Sequence, residues 1–250
     1  MVDTSTMQLL SATSSRPVAA SAPADTRIYV VGDIHGRADL LGDIIARIDD
    51  DIRRRPVART VEVYLGDYID RGPHSKTVID LLAVRLVANR AVCLRGNHES
   101  VMESFLADPS LLPYWEQLGG MQTLASYGVE LHDGIGTAKD LHRRFVAAFP
   151  RAHVLFMQCL RWQFRCGDFL FVHAGIRPGV SLDHQDPNDL VWIRDEFLGS
   201  ARNHGRFIVH GHTPVRHPDI RPNRLNIDTA AWRTGTLTCV AIEGSTILFL

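Results

Sequence analysis

The feature that most constrains the fold is a short apolar segment followed by an amphipathic helix, a pair that occurs three times in succession. The apolar segments cover residues 27–31, 60–65 and 91–94. After the first of them, apolar residues such as Ile44 and Ile48 recur at the helical spacing of about 3.6 residues. Because consecutive parallel strands require crossover helices, this pattern predicts an α/β fold with a largely parallel sheet covered by helices.

The later part of the sequence is less regular but still rich in strand signals. Residues 107–152 carry Pro and Gly among helical fragments, and we interpret them as a partly helical insertion that caps the site formed by the sheet. Residues 162–166 and 169–172 form a predicted hairpin across a Gly-Asp turn. Further strand-like segments cover residues 207–210, 225–228, 237–242 and 246–250.

The N-terminal residues 1–26 differ in composition from the rest of the chain. Ser, Ala, Thr and Pro are frequent there and offer little apolar surface to offset the entropy lost on ordering. Asp3 stands where an export signal would carry positive charge, and no long apolar stretch follows it. We therefore expect a flexible tail whose deletion changes stability little, followed by one domain over residues 27–250.

Charge and cysteine content exclude several classes of protein. The chain has 27 basic and 28 acidic residues, so no overall field attracts nucleic acid or an anionic membrane, and we expect neither as a partner. No segment approaches the ~20 apolar residues that a membrane-spanning helix needs. The 4 cysteines are scattered without a Cys-x-x-Cys pair, which argues against a zinc ribbon or disulfide scaffold and suits a reducing cytoplasm. The oligomeric state stays open.

Metal-capable side chains follow the predicted strands at the points where the strands end. They belong to the stretches Asp33-Ile-His35, Asp67-Tyr-Ile-Asp70-Arg71, Asn97-His98-Glu99, His173-Ala-Gly175 and His210-Gly-His212. Each alone is typical of an ordinary turn or a solvated histidine. Because ligands collect at the carboxyl ends of parallel strands, the stretches together indicate one shared site. Carboxylate, amide and imidazole ligands without cysteine suit divalent ions such as Mn, Fe or Zn.

Two of these regions resemble the central motifs of a known superfamily. Gly66-Asp-Tyr-Ile-Asp-Arg-Gly-Pro73 and Arg95-Gly-Asn-His-Glu99 are similar, in order and spacing, to motifs of the metallophosphoesterases. Within that superfamily the chain most resembles the phosphoprotein phosphatases of bacterial and lambda-phage type, and the resemblance extends over residues 27–250. It implies a single domain built as a sandwich of two mixed β-sheets flanked by helices.

The resemblance also implies a centre with two divalent metal ions, Mn²⁺ first and Fe or Zn as alternatives. Asp33 and His35 match ligands of one ion, and Asp67 matches the residue that bridges both. The matching ligands of the second ion are Asn97, His173 and His212. Two ions about 3.5 to 4 Å apart can share a hydroxide that attacks phosphorus in line with the leaving oxygen.

Four more residues match catalytic or substrate-binding positions of that family. His98 matches the acid that protonates the leaving group, and Asp70 matches the carboxylate that orients this acid. Arg71 and Arg194 match arginines that bind the phosphate, where a planar guanidinium can contact two oxygens at once. Packing roles are predicted for the aromatic residues Trp162, Trp192 and Trp232.

The resemblance leaves three functions to compare. The first is hydrolysis of phosphoserine or phosphothreonine, with a phosphorylated protein or a small phosphoester as partner. The second is symmetrical dinucleoside tetraphosphate hydrolysis, because Asp228-Thr-Ala-Ala-Trp-Arg-Thr-Gly-Thr-Leu-Thr-Cys239 is similar to the end of those enzymes. They tend to lack an acid at the position of Asp70, so the protein-phosphatase function is favoured. The third, a catalytically silent metal-binding scaffold, is disfavoured because ligands, acid and arginines are all present.

Overall fold

Strands and helices alternate through the first part of the chain, as the sequence predicts. The computed structural model describes residues 15–88, 91–130 and 137–250. Its strands are β1 (Ser15–Pro17), β2 (Thr26–Val31), β3 (Arg59–Tyr64), β4 (Ala91–Cys93), β5 (Gln163–Cys166), β6 (Phe169–Val172), β7 (Phe207–His210), β8 (Asp219–Ile220), β9 (Arg224–Asn226), β10 (Cys239–Glu243) and β11 (Thr246–Phe249). Its helices are α1 (Ala38–Arg54), α2 (Ser75–Val87), α3 (Asn97–Ala107), a 3₁₀ turn (Pro109–Leu111), α4 (Leu112–Gln117), α5 (Gly120–Ser126), α6 (Ala138–Ala148), α7 (Arg151–Gln158), α8 (Pro187–Trp192), α9 (Asp195–Leu198) and α10 (Ala231–Thr234). No helix in the described ranges is long and apolar enough to cross a membrane.

The strands form two mixed sheets, which confirms the predicted fold class. The first sheet has the order β1-β11-β10-β2-β3-β4. Its strands β2, β3 and β4 are parallel, with Val31 opposite Tyr64 and Tyr64 opposite Cys93, whereas β10 and β11 run antiparallel to their neighbours. The second sheet has the order β5-β6-β7-β9-β8, with β6, β7 and β9 parallel and antiparallel strands at both edges.

The two sheets pack face to face, and helices cover their outer faces. Ile28 of β2 belongs to the same buried cluster as Phe169 of β6, which fills the space between the sheets. Its neighbour Tyr29 belongs to a second cluster, together with Ile44 of α1. A third cluster includes Ile208 of β7 and residues of α8 and α9. Burying an apolar side chain of this size contributes about 1.5–3 kcal/mol, so strands buried on both faces hold the sandwich together.

The turns that follow the parallel strands meet at one rim of the sandwich. His35 N donates to Asp67 O at 2.8 Å and so joins the turns after β2 and β3. In the second sheet, Gly211 N donates to His173 O at 2.8 Å, which joins the turns after β6 and β7. His173 Nδ1 donates to Leu65 O, just after β3, at 2.9 Å. The strand ends of both sheets therefore face one shared space, the usual position of a site in α/β sheets.

The predicted insertion, residues 107–152, folds as short helices beside this rim. It contains the 3₁₀ turn, α4, α5, α6 and the start of α7, while residues 131–136 lie outside the described ranges. Between α4 and α5, Gly119 O accepts a hydrogen bond from Arg71 N at 3.2 Å. Trp115 of α4 is fully buried, and a Cβ at Gly120 would collide with its indole. The insertion is thus anchored on the turn after β3.

Residues 15–25 depart from the predicted flexible tail, and for them that prediction is wrong. The strand β1 pairs with β11, and Ala20 and Ala22 are buried in the cluster between the sheets. Ser21 N donates to Asp168 Oδ2 at 3.0 Å, and Ser21 O accepts from Asp168 N at 2.9 Å. Small alanine side chains fit at the edge of the sandwich, and backbone hydrogen bonds stabilise a segment of low apolar content. Residues 1–14 of the predicted tail lie outside the described residues.

We expect Ala20→Asp to destabilise the domain, because Ala20 is only 6% exposed and the new carboxylate enters an apolar cluster. A cost of about 2–3 kcal/mol lowers the melting temperature of a chain this long by roughly 4–12 °C. Ala19→Asp is the matched control, because Ala19 is exposed, and its effect should stay within about 0.5 kcal/mol. Scanning calorimetry on both variants measures the difference, and equal melting temperatures contradict the docked segment.

Candidate metal centre

Asp67 lies at the middle of the site, and its carboxylate is buried. Its backbone has a left-handed conformation with φ 52°, at a cost of about 1–3 kcal/mol. Its oxygens lie 3.4 Å from His173 Nε2, 3.5 Å from His35 Nε2 and 3.8 Å from His98 Nε2. Burial alone would raise the pKa of Asp67, but positive charge on the surrounding imidazoles, including His98, whose own pKa is raised, outweighs burial and holds the pKa of Asp67 well below its usual range. Asp67 therefore carries a negative charge surrounded by ring nitrogens.

Two of these imidazoles are held in the tautomer that metal ligation requires. His35 Nδ1 donates to Ile69 O, and His173 Nδ1 donates to Leu65 O, both at 2.9 Å. Because carbonyl oxygens only accept, the Nε2 atom of each neutral ring turns a lone pair toward Asp67. Burial lowers the pKa of both histidines, which keeps the rings neutral. A lone pair that faces a carboxylate is unfavourable unless a cation lies between them.

Asn97, His212 and Asp33 complete the centre. Asn97 Oδ1 lies 3.0 Å from both His173 Nε2 and His212 Nδ1. Asp33 Oδ2 accepts from His212 N at 3.0 Å, whereas Asp33 Oδ1 and His212 Nε2 are buried without a hydrogen-bond partner among the described residues. Burial and the nearby Asp228 carboxylate raise the pKa of Asp33 well above its usual range. Buried acceptors without partners are costly, and a divalent cation satisfies them.

The structure thus brings all six predicted ligands together, and their chemistry fits divalent ions. Ligand atoms of His35, Asp67 and His98 lie within 4.8 Å of one another, and so do those of Asp67, His173 and His212. Asp67 is common to both groups, as a bridging ligand must be. Because the first group contains His98, distance alone does not distinguish a ligand from a general acid at that position.

His98 is held by a chain of buried hydrogen bonds, which continues through Asp70 into the insertion. Its Nδ1 lies 2.7 Å from Asp70 Oδ2. The Asp70 carboxylate also accepts from Trp115 Nε1 at 3.0 Å and from Thr123 Oγ1 at 2.6 Å. Burial lowers the pKa of His98, but Asp67 and Asp70 outweigh burial and raise it above its usual value. No local sequence pattern marks Trp115 or Thr123, because they reach Asp70 only through the packing of α4 and α5.

The two predicted phosphate-binding arginines lie at the mouth of this centre. Arg71 Nη1 lies 3.0 Å from His35 Nε2, and its Nη2 lies 3.2 Å from His98 Nε2. Arg194 is exposed, and its Nη1 donates to Thr213 Oγ1 at 3.2 Å. One guanidinium therefore lies over the buried imidazoles, and the other lies in solvent beside the turn after β7.

The motif pattern assigns no role to two buried carboxyl groups of this site. Glu99 accepts from Asp67 N and Gly96 N, both at 2.9 Å, and so ties two turns of the rim together. Burial, together with the charge of Asp67, raises the pKa of Glu99 to about 7. Asp228 accepts from Ala230 N at 2.8 Å, and burial raises its pKa to about 6. Asp228 lies at the end of a predicted strand, as the predicted metal ligands do, so this position could have identified it as a site residue.

The tryptophans predicted to pack lie in different environments. Trp192 lies edge-on to His212, with ring centroids 6.0 Å apart. Trp162 and Trp232 are 40% and 39% exposed, so the packing prediction is wrong for these two. Both rings lie outside the buried clusters, where guanidinium groups cover part of them: that of Arg95 lies 5.1 Å from the Trp162 centroid.

A sandwich of two mixed sheets with such a centre at its strand ends has the architecture of a metal-dependent hydrolase. Carboxylate, amide and imidazole groups, two arginines and a buried imidazole acid suit a reaction at phosphorus. The chain belongs to the calcineurin-like phosphoesterase family, whose model matches residues 26–234. It is therefore a hydrolase of the metallophosphoesterase superfamily, a family that uses divalent metal ions.

The similar proteins include tetraphosphatases and protein phosphatases. The bis(5'-nucleosyl)-tetraphosphatase PrpE of asymmetrical type from Halalkalibacterium halodurans is 25% identical over 230 residues, which cover 84% of this chain and 88% of that relative. A crystal structure of a candidate diadenosine tetraphosphatase has a TM-score of 0.60 at 21% identity, over 92% of this chain and 97% of that one. The structure of a protein serine/threonine phosphatase from Saccharomyces cerevisiae has a TM-score of 0.54 at 16% identity. The match covers 87% of this chain and 72% of that one. The structural similarities show a shared fold.

We expect Gly211→Ala to weaken divalent metal binding, because the added Cβ would collide with Asp33 Oδ1. Gly42→Ala is the matched control: nothing lies within 4 Å of a Cβ there, and an alanine inside α1 should stabilise by about 0.5–1 kcal/mol. Calorimetric titration of both purified variants with Mn²⁺ should show at least a tenfold weaker affinity for Gly211→Ala alone. Unchanged affinity in that variant would remove Asp33 from the ligand set.

Proposed function

We propose that the protein hydrolyses a nucleoside polyphosphate, with dinucleoside tetraphosphates as the substrate class. The observation that carries this proposal is the similarity, over 84% of the chain, to a relative named as a bis(5'-nucleosyl)-tetraphosphatase. It outweighs the motif argument that favoured a protein phosphatase. The name of that relative specifies asymmetrical hydrolysis, so we expect cleavage into unequal products rather than the symmetrical cleavage considered from the sequence.

We assign the metal ligands as the family resemblance implies. Asp33, His35 and Asp67 would hold one ion, and the second would be held by Asp67, Asn97, His173 and His212. The tautomers of His35 and His173 and the unpaired oxygen of Asp33 support this assignment. Bound ions supply Lewis acidity toward phosphate oxygens and lower the pKa of the attacking water. Mn²⁺ is our first choice, and the same ligand set suits Fe or Zn.

We assign the remaining site residues to substrate and leaving group. Arg71 and Arg194 would bind phosphate oxygens, because their guanidinium groups are the cations at the mouth of the centre. His98 would donate a proton to the leaving oxygen. Asp70 would position His98 through the 2.7 Å hydrogen bond, and its own orientation is fixed by Trp115 and Thr123.

Hydrolysis of phosphoserine or phosphothreonine is the second candidate, and the His98–Asp70 pair favours it. An alkoxide is a poor leaving group and needs a proton, whereas a nucleotide leaves as a more stable anion. A buried imidazole whose pKa is raised by Asp67 and Asp70 is suited to that task, although burial itself opposes the charge.

A substrate panel tests the proposal directly. We expect the Mn²⁺-loaded protein to cleave diadenosine tetraphosphate into ATP and AMP with a higher kcat/KM than it shows for a phosphoserine peptide. Activity should disappear on treatment with a chelator and return with Mn²⁺, because the ions are part of the centre. Separation of the nucleotide products by chromatography distinguishes ATP plus AMP from two ADP. A preference for the phosphopeptide would instead favour the second candidate.

We expect His98→Asn to lower kcat strongly for a phosphoserine peptide, by roughly 10²–10⁴, because a general acid is lost. The loss should be much smaller for p-nitrophenyl phosphate, whose leaving group departs without a proton. Asp70→Asn should show the same dependence in weaker form, because it only disturbs the position of His98. Steady-state kinetics on both esters, with the metal content of each variant, separates the roles. Equal losses on the two esters, or a missing metal ion, would make His98 a ligand.

A further inference from the structure

A surface cavity of about 720 Å³ lies next to the metal centre and is not used by the roles assigned above. One wall comes from α4, from α5 and from the residues between these two helices, and it includes Gly119 and Gln122. The other wall comes from the turns after β7 and β9, with Pro214, Trp232 and Arg233. Arg71 also lines the cavity, so the cavity and the metal centre share a side chain. Its volume lies in the usual range for small-molecule sites of about 300–1,000 Å³.

Trp232 is the large aromatic surface of this cavity. Its side chain is 39% exposed although it lies within a turn fastened to the buried site. Asp228 Oδ1 accepts from Ala230 N at 2.8 Å, and Ala231 O accepts from Arg37 Nη1 at 3.0 Å. Ala230 itself has φ 53°, a left-handed conformation that costs an alanine free energy. The turn is therefore held in a defined shape that presents the indole to the cavity.

Arg71 connects this indole to the catalytic centre. Its guanidinium carbon lies 5.3 Å from the centroid of the Trp232 ring, while its Nη1 atom lies 3.0 Å from His35 Nε2. One guanidinium thus contacts both the indole of the cavity and an imidazole of the metal centre. Arg233 adds a second guanidinium 5.9 Å from the same ring. An aromatic ring with two flanking cations suits a ligand that combines a flat base with anionic phosphates.

We propose that this cavity binds a nucleobase of the substrate by stacking on Trp232. This inference rests on the proposed nucleoside polyphosphate hydrolysis and adds the subsite that recognises the nucleoside. Stacking on an indole accepts any base, because every base has a π face, so the subsite distinguishes nucleotides from other phosphoesters rather than adenine from guanine. Arg71 is placed to contact the phosphate that joins this nucleoside to the scissile bond.

The first test compares a dinucleotide substrate with a polyphosphate that carries no nucleoside. We expect Trp232→Ala, in the full Mn²⁺-loaded protein, to reduce kcat/KM for diadenosine tetraphosphate at least tenfold more than for inorganic tripolyphosphate. Trp232→Phe should retain most of the nucleotide preference because a ring remains. Tyr114→Ala is the control, since Tyr114 is 45% exposed on the neighbouring α4 but does not line the cavity, and it should leave the ratio unchanged. Equal losses on both substrates in Trp232→Ala would overturn the subsite.

The second test needs no dinucleotide hydrolysis, and its main comparison uses the unmodified protein. AMP and ribose 5-phosphate, as competitive inhibitors of p-nitrophenyl phosphate hydrolysis, differ only in the base. We expect AMP to inhibit the unmodified protein about tenfold more strongly, and Trp232→Ala to abolish that difference. Equal inhibition by the two compounds overturns the subsite even if Trp232→Ala fails to fold. If AMP inhibits preferentially but diadenosine tetraphosphate is not cleaved, the subsite stands and the proposed hydrolysis fails.

Discussion

The buried charge of Asp67 is the constraint on which the rest of the site depends. An isolated carboxylate in a protein interior costs several kcal/mol, so the fold must surround this one with partners. Three imidazole nitrogens lie within 3.8 Å of it, and they come from turns of both sheets. Glu99 holds the backbone of Asp67 in its left-handed conformation through a hydrogen bond to its N–H. The two sheets could not bring these nitrogens together unless their parallel strand ends shared one rim.

Much of the fold and most of the site follow from the sequence because they depend on local order along the chain. Each buried strand is an apolar run, and each polar turn follows it directly, so Asp33 and Asp67 are assigned to one rim before any contact is known. Trp115 and Thr123 are different, because they bind Asp70 across a sequence separation of 45 and 53 residues. Composition does not predict the order of residues 15–25 either, because this order comes from backbone pairing with β11 and from hydrogen bonds to Asp168.

In the proposed function, reaction chemistry and substrate choice depend on different parts of this molecule. The proposed metal ligands and the His98–Asp70 pair would act on the phosphorus and on the leaving oxygen, which a phosphoprotein and a dinucleotide share. Motifs that report on this chemistry therefore pointed toward a protein phosphatase. The walls of the neighbouring cavity come from the insertion and from the turn that carries Trp232. We therefore expect substrate preference to depend on the residues of these walls rather than on the metal ligands.

The position of β10 has a consequence for how the chain folds during its synthesis. β10 lies between β2 and β11 in the first sheet, and its Glu243 contacts Arg27 across 216 residues of sequence. β2 is translated long before β10, so it gains its antiparallel neighbour only after residues 239–243 have left the ribosome. Until then β2 presents an unpaired edge that includes the apolar residues 28–31, and such an edge is an aggregation hazard. The early strand–helix units therefore stay partly folded until β10 pairs with β2. During that time chaperones can bind the exposed edge of β2.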